Sequence, residues 1–112
     1  MRIAIPVVNG ELALHFGHGQ HFAIIDVDPE AKTISDPTLA TPPPHAPGVL
    51  PRWLAEQNVS VIIAGGMGRR AQDLFEQQGI DVIVGAPSGK VEDIVQQYLD
   101  GTLETGKNVC DH

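Results

Sequence analysis

Val59-Ser60-Val61-Ile62-Ile63-Ala64-Gly65-Gly66-Met67-Gly68-Arg69-Arg70-Ala71 decides the reading of this chain. Its first part is apolar without alternation and short, the pattern of a strand covered on both faces. The glycines then turn the chain, and Arg69 to Gln78 reads as a helix. A strand that turns through glycines into a helix N-terminus exposes unpaired backbone N–H groups, and the helix dipole adds partial positive charge there. Such a place binds an anion. The chain has 7 Lys+Arg against 14 Asp+Glu, a formal net charge of −7. Two adjacent arginines at this turn therefore concentrate scarce positive charge where an anionic ligand would sit.

Outward from that segment, strand and helix alternate. Gly48 to Gln57 reads as helix, Asp81 to Val84 as strand and Ser88 to Leu99 as helix, with Gly79 placed like the left-handed residue that closes a helix. Glu92 and Asp93 favour the first turn of the last helix. Upstream, Arg2 to Val7 and His21 to Val27 read as buried strands, and Thr33 to Leu39 as a weaker third strand at an edge, because Pro37 has no N–H for a ladder. Thr41 to Pro47, with Pro42-Pro43-Pro44, is a stiff connector. The grammar is α/β, with continuous apolar strands suited to a parallel sheet covered on both faces. One domain over residues 1–103 and a polar tail over 104–112 are expected from a 112-residue chain.

Composition narrows the function. No apolar run approaches the roughly 20 residues that cross a bilayer, and Met1 leads directly into a strand, so a cytoplasmic protein is expected. An acidic chain without a basic stripe does not suit duplex nucleic acid. The single cysteine, Cys110, has no internal disulfide partner.

Three groups of residues could carry chemistry. Gly66-Met67-Gly68-Arg69-Arg70-Ala71 formally fits the G-x-G-x-x-A dinucleotide fingerprint, yet the following strand, Asp81-Val82-Ile83-Val84, ends in Gly85-Ala86-Pro87 with no acid to hold a ribose. Glycines there equally allow tight strand-to-helix packing. Gly85 to Val91 approaches a P-loop but has its glycines too close and Val91 in place of Ser/Thr, which excludes it as a nucleotide site. The second group is His15-Phe16-Gly17-His18 with His21 beyond it. Imidazoles ligate metals or donate to anions, although a solvated loop anchored by Phe16 accounts for the same residues, and His21 reads as structural. The third is the tail pair Cys110 and His112, too few ligands for a closed zinc site. His45, held among prolines, is the remaining histidine, and His15, His18, His45 and His112 could gather at one sheet edge. No arrangement of paired carboxylates or of a fixed nucleophile and base supports catalysis.

These residues resemble the nitrogenase accessory, iron–molybdenum cofactor biosynthesis domain family. The resemblance is carried by the opening strand, His15-Phe16-Gly17-His18 before Phe22-Ala23-Ile24-Ile25-Asp26, Gly65-Gly66-Met67-Gly68 with Ala71, Gly79-Ile80, and Tyr98-Leu99-Asp100-Gly101-Thr102-Leu103. His45-Ala46-Pro47-Gly48 and Cys110-Asp111-His112 are similar to its stand-alone branch, which includes molybdenum–copper orange proteins. The resemblance implies a ribonuclease-H-like fold: a five-stranded mixed sheet in order 3-2-1-4-5, strand 2 antiparallel, helices on both faces. It also implies non-catalytic, non-covalent binding of an anionic metal–sulfur cluster containing molybdenum with copper or iron, often beside P-loop ATPases of cluster maturation. Gly19 stands where some relatives have a cysteine, so thiolate ligation from that loop is not expected.

The expected site is the edge where the His15 to Gly19 loop, the His45 loop and the Gly65 to Arg70 turn meet. Gly65, Gly66 and Gly68 would allow close backbone approach, Met67 apolar contact, and Arg69 or Arg70 charge neutralisation. His15, His18 and His45, with Cys110 and His112, would supply hydrogen bonds or metal ligation. The rivals are a nucleotide-binding enzyme module using Gly66 to Ala71, and an adaptor domain for a P-loop ATPase. A monomer or weak homo-oligomer is expected.

Overall fold

The computed structural model describes residues 1–13, 21–43, 48–87 and 89–105. Among these the chain runs β1 (Arg2–Val8), β2 (Glu11–Leu12), β3 (His21–Asp28), β4 (Thr33–Ile34), β5 (Thr38–Ala40), α1 (Val49–Glu56), β6 (Val61–Ile63), α2 (Arg69–Gln77), β7 (Asp81–Ile83) and α3 (Val91–Asp100). The strands form one mixed sheet in the order β4-β3-β1-β6-β7, with β2 paired to β1 and β5 paired to β3. β3 is antiparallel to β1, while β6 and β7 run parallel to it.

Side-chain alternation sends the apolar residues of β1, β3 and β6 into two layers, one on each face of the sheet. Ile3, Ile5 and Val7 of β1, Ala23 and Ile25 of β3, and Val61 and Ile63 of β6 join one apolar layer with Val91, Ile94 and Val95 of α3. Ala4, Phe22 and Ile62, from the opposite side of the same strands, join Leu54 of α1 and Phe75 of α2 in a second layer. α3 thus covers one face, and α1 with α2 the other. The edge-on pair of Phe22 and Trp53, with centroids 5.8 Å apart, fastens α1 to β3 and adds about 1 kcal/mol beyond area burial.

The helix ends follow local chemistry. After α2, the Gly79 N–H donates to Glu76 O at 2.9 Å and the Ile80 N–H to Phe75 O at 3.1 Å, with Gly79 left-handed at φ 78. That pair of bonds is a Schellman closure, sealed by Ile80 and Phe75 in one apolar layer. The closure sends the chain straight back into β7. α1 ends the same way, with Asn58 at φ 65 and the Val59 N–H donating to Leu54 O.

The sheet has seven strands where five were expected. Asn9-Gly10, with φ of 55 and 83, forms a two-residue hairpin turn that brings β2 back onto β1, a signal the sequence reading passed over. The third expected strand is divided into β4 and β5, with Pro37 in the gap between them. α3 begins at Val91 rather than Ser88, which lies outside the described residues. Gly89 O accepts from the Leu12 N–H at 2.9 Å and Lys90 bridges Glu11, so this stretch pairs with β2 instead of coiling.

Candidate functional site

The parallel strands part at their carboxyl ends. β1 and β6 are in register only at Ile3↔Val61 and Ala4↔Ile62. Past that point β1 takes β2 as its neighbour, at Val7↔Leu12 and Val8↔Glu11, and the Ala13 N–H donates to Pro6 O at 2.9 Å. β6 stays with the far side: Ala64 N–H donates to Ile83 O and Gly85 N–H to Gly65 O. Pro6, lacking an N–H, sits where the β1–β6 ladder stops. In open α/β sheets, the place where neighbouring connections leave in different directions beyond the strand ends is the usual ligand crevice.

Gly65 and Gly66 are buried at this rim, and Gly68 is half-buried as the residue preceding α2. Gly68 has φ −64 and ψ 155, ordinary extended backbone, and a Cβ built on it would meet nothing within 4 Å. Neither backbone strain nor packing among the described residues requires glycine there. No described side chain caps α2, and its first turn has no acid. Arg69 and Arg70, both exposed, are its first two residues. The first-turn N–H groups of α2 thus have two arginines and no acid among their own helix neighbours.

Met67 is fully buried in the layer of α1 and α2, so its side chain is part of the core and does not offer the apolar ligand contact expected of it. Its carbonyl accepts from Gln72 Nε2 at 2.9 Å, and the Gln72 N–H donates to Gly68 O at 3.1 Å. Gln72 was not singled out from the sequence, where nothing separates it from the other glutamines on polar helix faces. Lys90 stands before α3, whose first turn carries Glu92 and Asp93, and this end is electrostatically unlike that of α2.

His15, Phe16, Gly17, His18, His45, Cys110 and His112 lie outside the described residues. The described residues on either side of the segment that holds His15, Phe16, Gly17 and His18 do lie at the carboxyl rim: Ala13 beside Pro6, and His21, which opens β3 opposite Val7. His21 Nδ1 is 3.5 Å from Thr41 Oγ1. Among the described residues no three His, Cys, Asp or Glu side chains gather as a metal site. The described donors at the start of α2, amide N–H and guanidinium groups, suit an anion. Asp81 opens β7 at the other end of the strand, and the described residues that follow β7, Val84 to Pro87, include no acid of the kind a dinucleotide site uses there.

The family described as dinitrogenase iron-molybdenum cofactor matches residues 1–101. The chain belongs to that family. The match spans every strand and helix among the described residues and stops at Gly101, the left-handed residue that ends α3. MJ0580 of Methanocaldococcus jannaschii is 32% identical over 108 residues, covering 93% of this chain and 90% of its own. The crystal structure of PH0822 superposes with a TM-score of 0.85 at 26% identity, over 96% of both chains. The apo orange protein from Desulfovibrio gigas superposes with a TM-score of 0.70 at 23% identity, over 96% of this chain and 93% of its own, a likeness of fold. Within the family's span lie the glycine turn, both arginines and Gln72. Among the described residues, no helix is long and apolar enough to cross a membrane.

Proposed function

We propose that this protein is a cytoplasmic, non-catalytic carrier or scaffold for an anionic metal–sulfur cluster, of the iron–molybdenum precursor or molybdenum–copper sulfide type, seated over the start of α2. The observation that carries the reading is Gly68. It is a glycine in backbone open to any residue, with free space where a side chain would be, followed by two arginines in a chain of net charge −7. Leaving that space open favours a large ligand that approaches the backbone closely. A thiometallate surface is soft and negative, and suits amide N–H groups and guanidinium better than a carboxylate cage.

Family membership supports the same cargo, and P-loop ATPases of cluster maturation are the partners that fit it. Taking β4 and β5 as one interrupted edge strand and β2 as an excursion of β1 supports the ribonuclease-H-like order 3-2-1-4-5 as our reading of the sheet.

Anaerobic titration of the purified protein with tetrathiomolybdate, with and without copper(I), followed by visible absorption, tests the proposal. Saturable binding that weakens with ionic strength is expected. Absence of binding, with micromolar affinity for NAD or ATP instead, would overturn it in favour of a nucleotide module.

A further inference from the structure

The glycine turn is held from behind by a side chain. Gln72 Nε2 donates to the Met67 carbonyl at 2.9 Å while the Gln72 N–H donates to Gly68 O. Gln72 is half-buried, and the Met67 side chain is fully buried, so the carbonyl is drawn toward the body of α2. A trans peptide is planar and its N–H points opposite to its C=O. There are no cis peptides among the described residues. The Gly68 N–H, on the same peptide plane, is therefore turned away from Gln72, and the Cβ position of Gly68 is open.

We infer that Gln72 is a positioning residue for the bound anion: by holding the Met67 carbonyl it aims the Gly68 N–H at the ligand. The inference rests on the anion-carrier reading and adds to it a residue that never touches the cargo. Without the Gln72 donor, the Met67–Gly68 peptide loses the bond that draws its carbonyl toward α2. A carbonyl turned outward would then present an oxygen to an anion where a donor had been.

The test uses the full chain labelled with 15N and titrated anaerobically with tetrathiomolybdate. In the wild type the Gly68 amide resonance is expected to shift with saturation. Gln72→Met keeps length and volume but has no donor. It should bind about tenfold more weakly, the order expected for losing one hydrogen bond to a charged group, with the Gly68 shift reduced. Gln72→Lys, which restores a donor to the carbonyl, should recover the Gly68 shift. Because Lys also adds positive charge, that shift, and not affinity, is the readout.

Wild-type affinity and an unchanged Gly68 shift in Gln72→Met would overturn the positioning role while leaving the carrier reading intact. If Gln72→Met is too unstable to assay, failure of Gln72→Lys to show the Gly68 shift overturns it. A wild-type protein that binds no tetrathiomolybdate sinks the carrier reading itself.

Discussion

The Gly85 N–H donates to the Gly65 carbonyl at 2.7 Å, tying the turn that follows β7 to the turn that follows β6. This bond extends the β6–β7 ladder past the last paired side chains, Ile63 and Ile83, and leaves both turns at one level of the rim. Gly85 reaches it with φ 83, in the left-handed region. Gly85→Ala should cost about 1–2 kcal/mol from that backbone strain, lowering the melting temperature by several degrees. Cluster binding should weaken as well, because the neighbouring turn loses its brace. Circular dichroism melting and the thiomolybdate titration read the two effects separately.

Arg69 and Arg70 are consecutive on α2, and consecutive helical side chains point about 100° apart. Both are exposed, so neither is needed for packing. Arg69→Ala and Arg70→Ala should therefore both melt as wild type but differ in binding. One is expected to lose about tenfold in affinity, the other about twofold or less, and the stronger variant should also show the flatter dependence on salt. Equal, negligible effects of both substitutions would move the anion away from this helix end.

At the opposite end of β1, Arg2 joins three elements. Its Nε donates to Asp26 Oδ1 at 2.7 Å and a terminal nitrogen to Gln57 O at 2.6 Å, so it links β1 to β3 and meets the carbonyl end of α1. The hydrogen bond from Arg2, more than its charge, holds the Asp26 carboxyl below its usual value of 3.8, and the Arg2 guanidinium is raised in turn. A carboxyl whose folded value is depressed stabilises the fold above the unfolded value and loses that contribution as pH falls through the folded one. Asp26→Asn should then melt slightly below wild type at neutral pH, the gap closing below pH 3.8. The effect is small because the pair is largely exposed, with side-chain exposures of 35% and 60%. Arg2→Ala should cost more than Asp26→Asn at neutral pH, since it also releases Gln57. A pH series of melting curves decides both points.

How much of this was legible follows from range. The segment from Val59 to Ala71 announces strand, turn and helix through local chemistry alone, and the structure places β6, the glycine turn and α2 there. Gly79 was equally readable, because a Schellman closure depends on neighbours within one turn. The β2 hairpin was missed although Asn9-Gly10 encodes it locally. The division of β6 from β1 was out of reach, because it depends on residues 11–13 returning to the edge that Pro6 leaves unpaired. Gln72 lay beyond reading for a similar reason: a glutamine on a helix becomes a brace only when the turn before it folds within reach of its amide. Met67 was legible as apolar but not as core, since which way a turn residue faces is settled by the packing of α1 against α2.

Gly68 separates stability from function most sharply. As the residue before α2, with φ −64 and ψ 155, it already has the backbone of a helix-capping serine or aspartate. Gly68→Asp would place a carboxylate on the unbonded N–H groups of the first turn and on the positive end of the dipole, stabilising the fold by up to about 1 kcal/mol. Gly68→Ser would do so more weakly, without charge. Gly68→Ala lacks a capping oxygen and should fall slightly below wild type. Anion affinity should order differently: wild type first, then Ala, which adds only a methyl to the open space, then Ser, then Asp, which occupies the donors and repels the cargo. A helix cap and a ligand compete for the same N–H groups, so substitutions that add a cap gain stability as they lose binding. Melting temperature and thiomolybdate affinity measured across the four proteins test this. A Gly68→Asp protein that binds as tightly as wild type would show that the anion does not rest on this helix end.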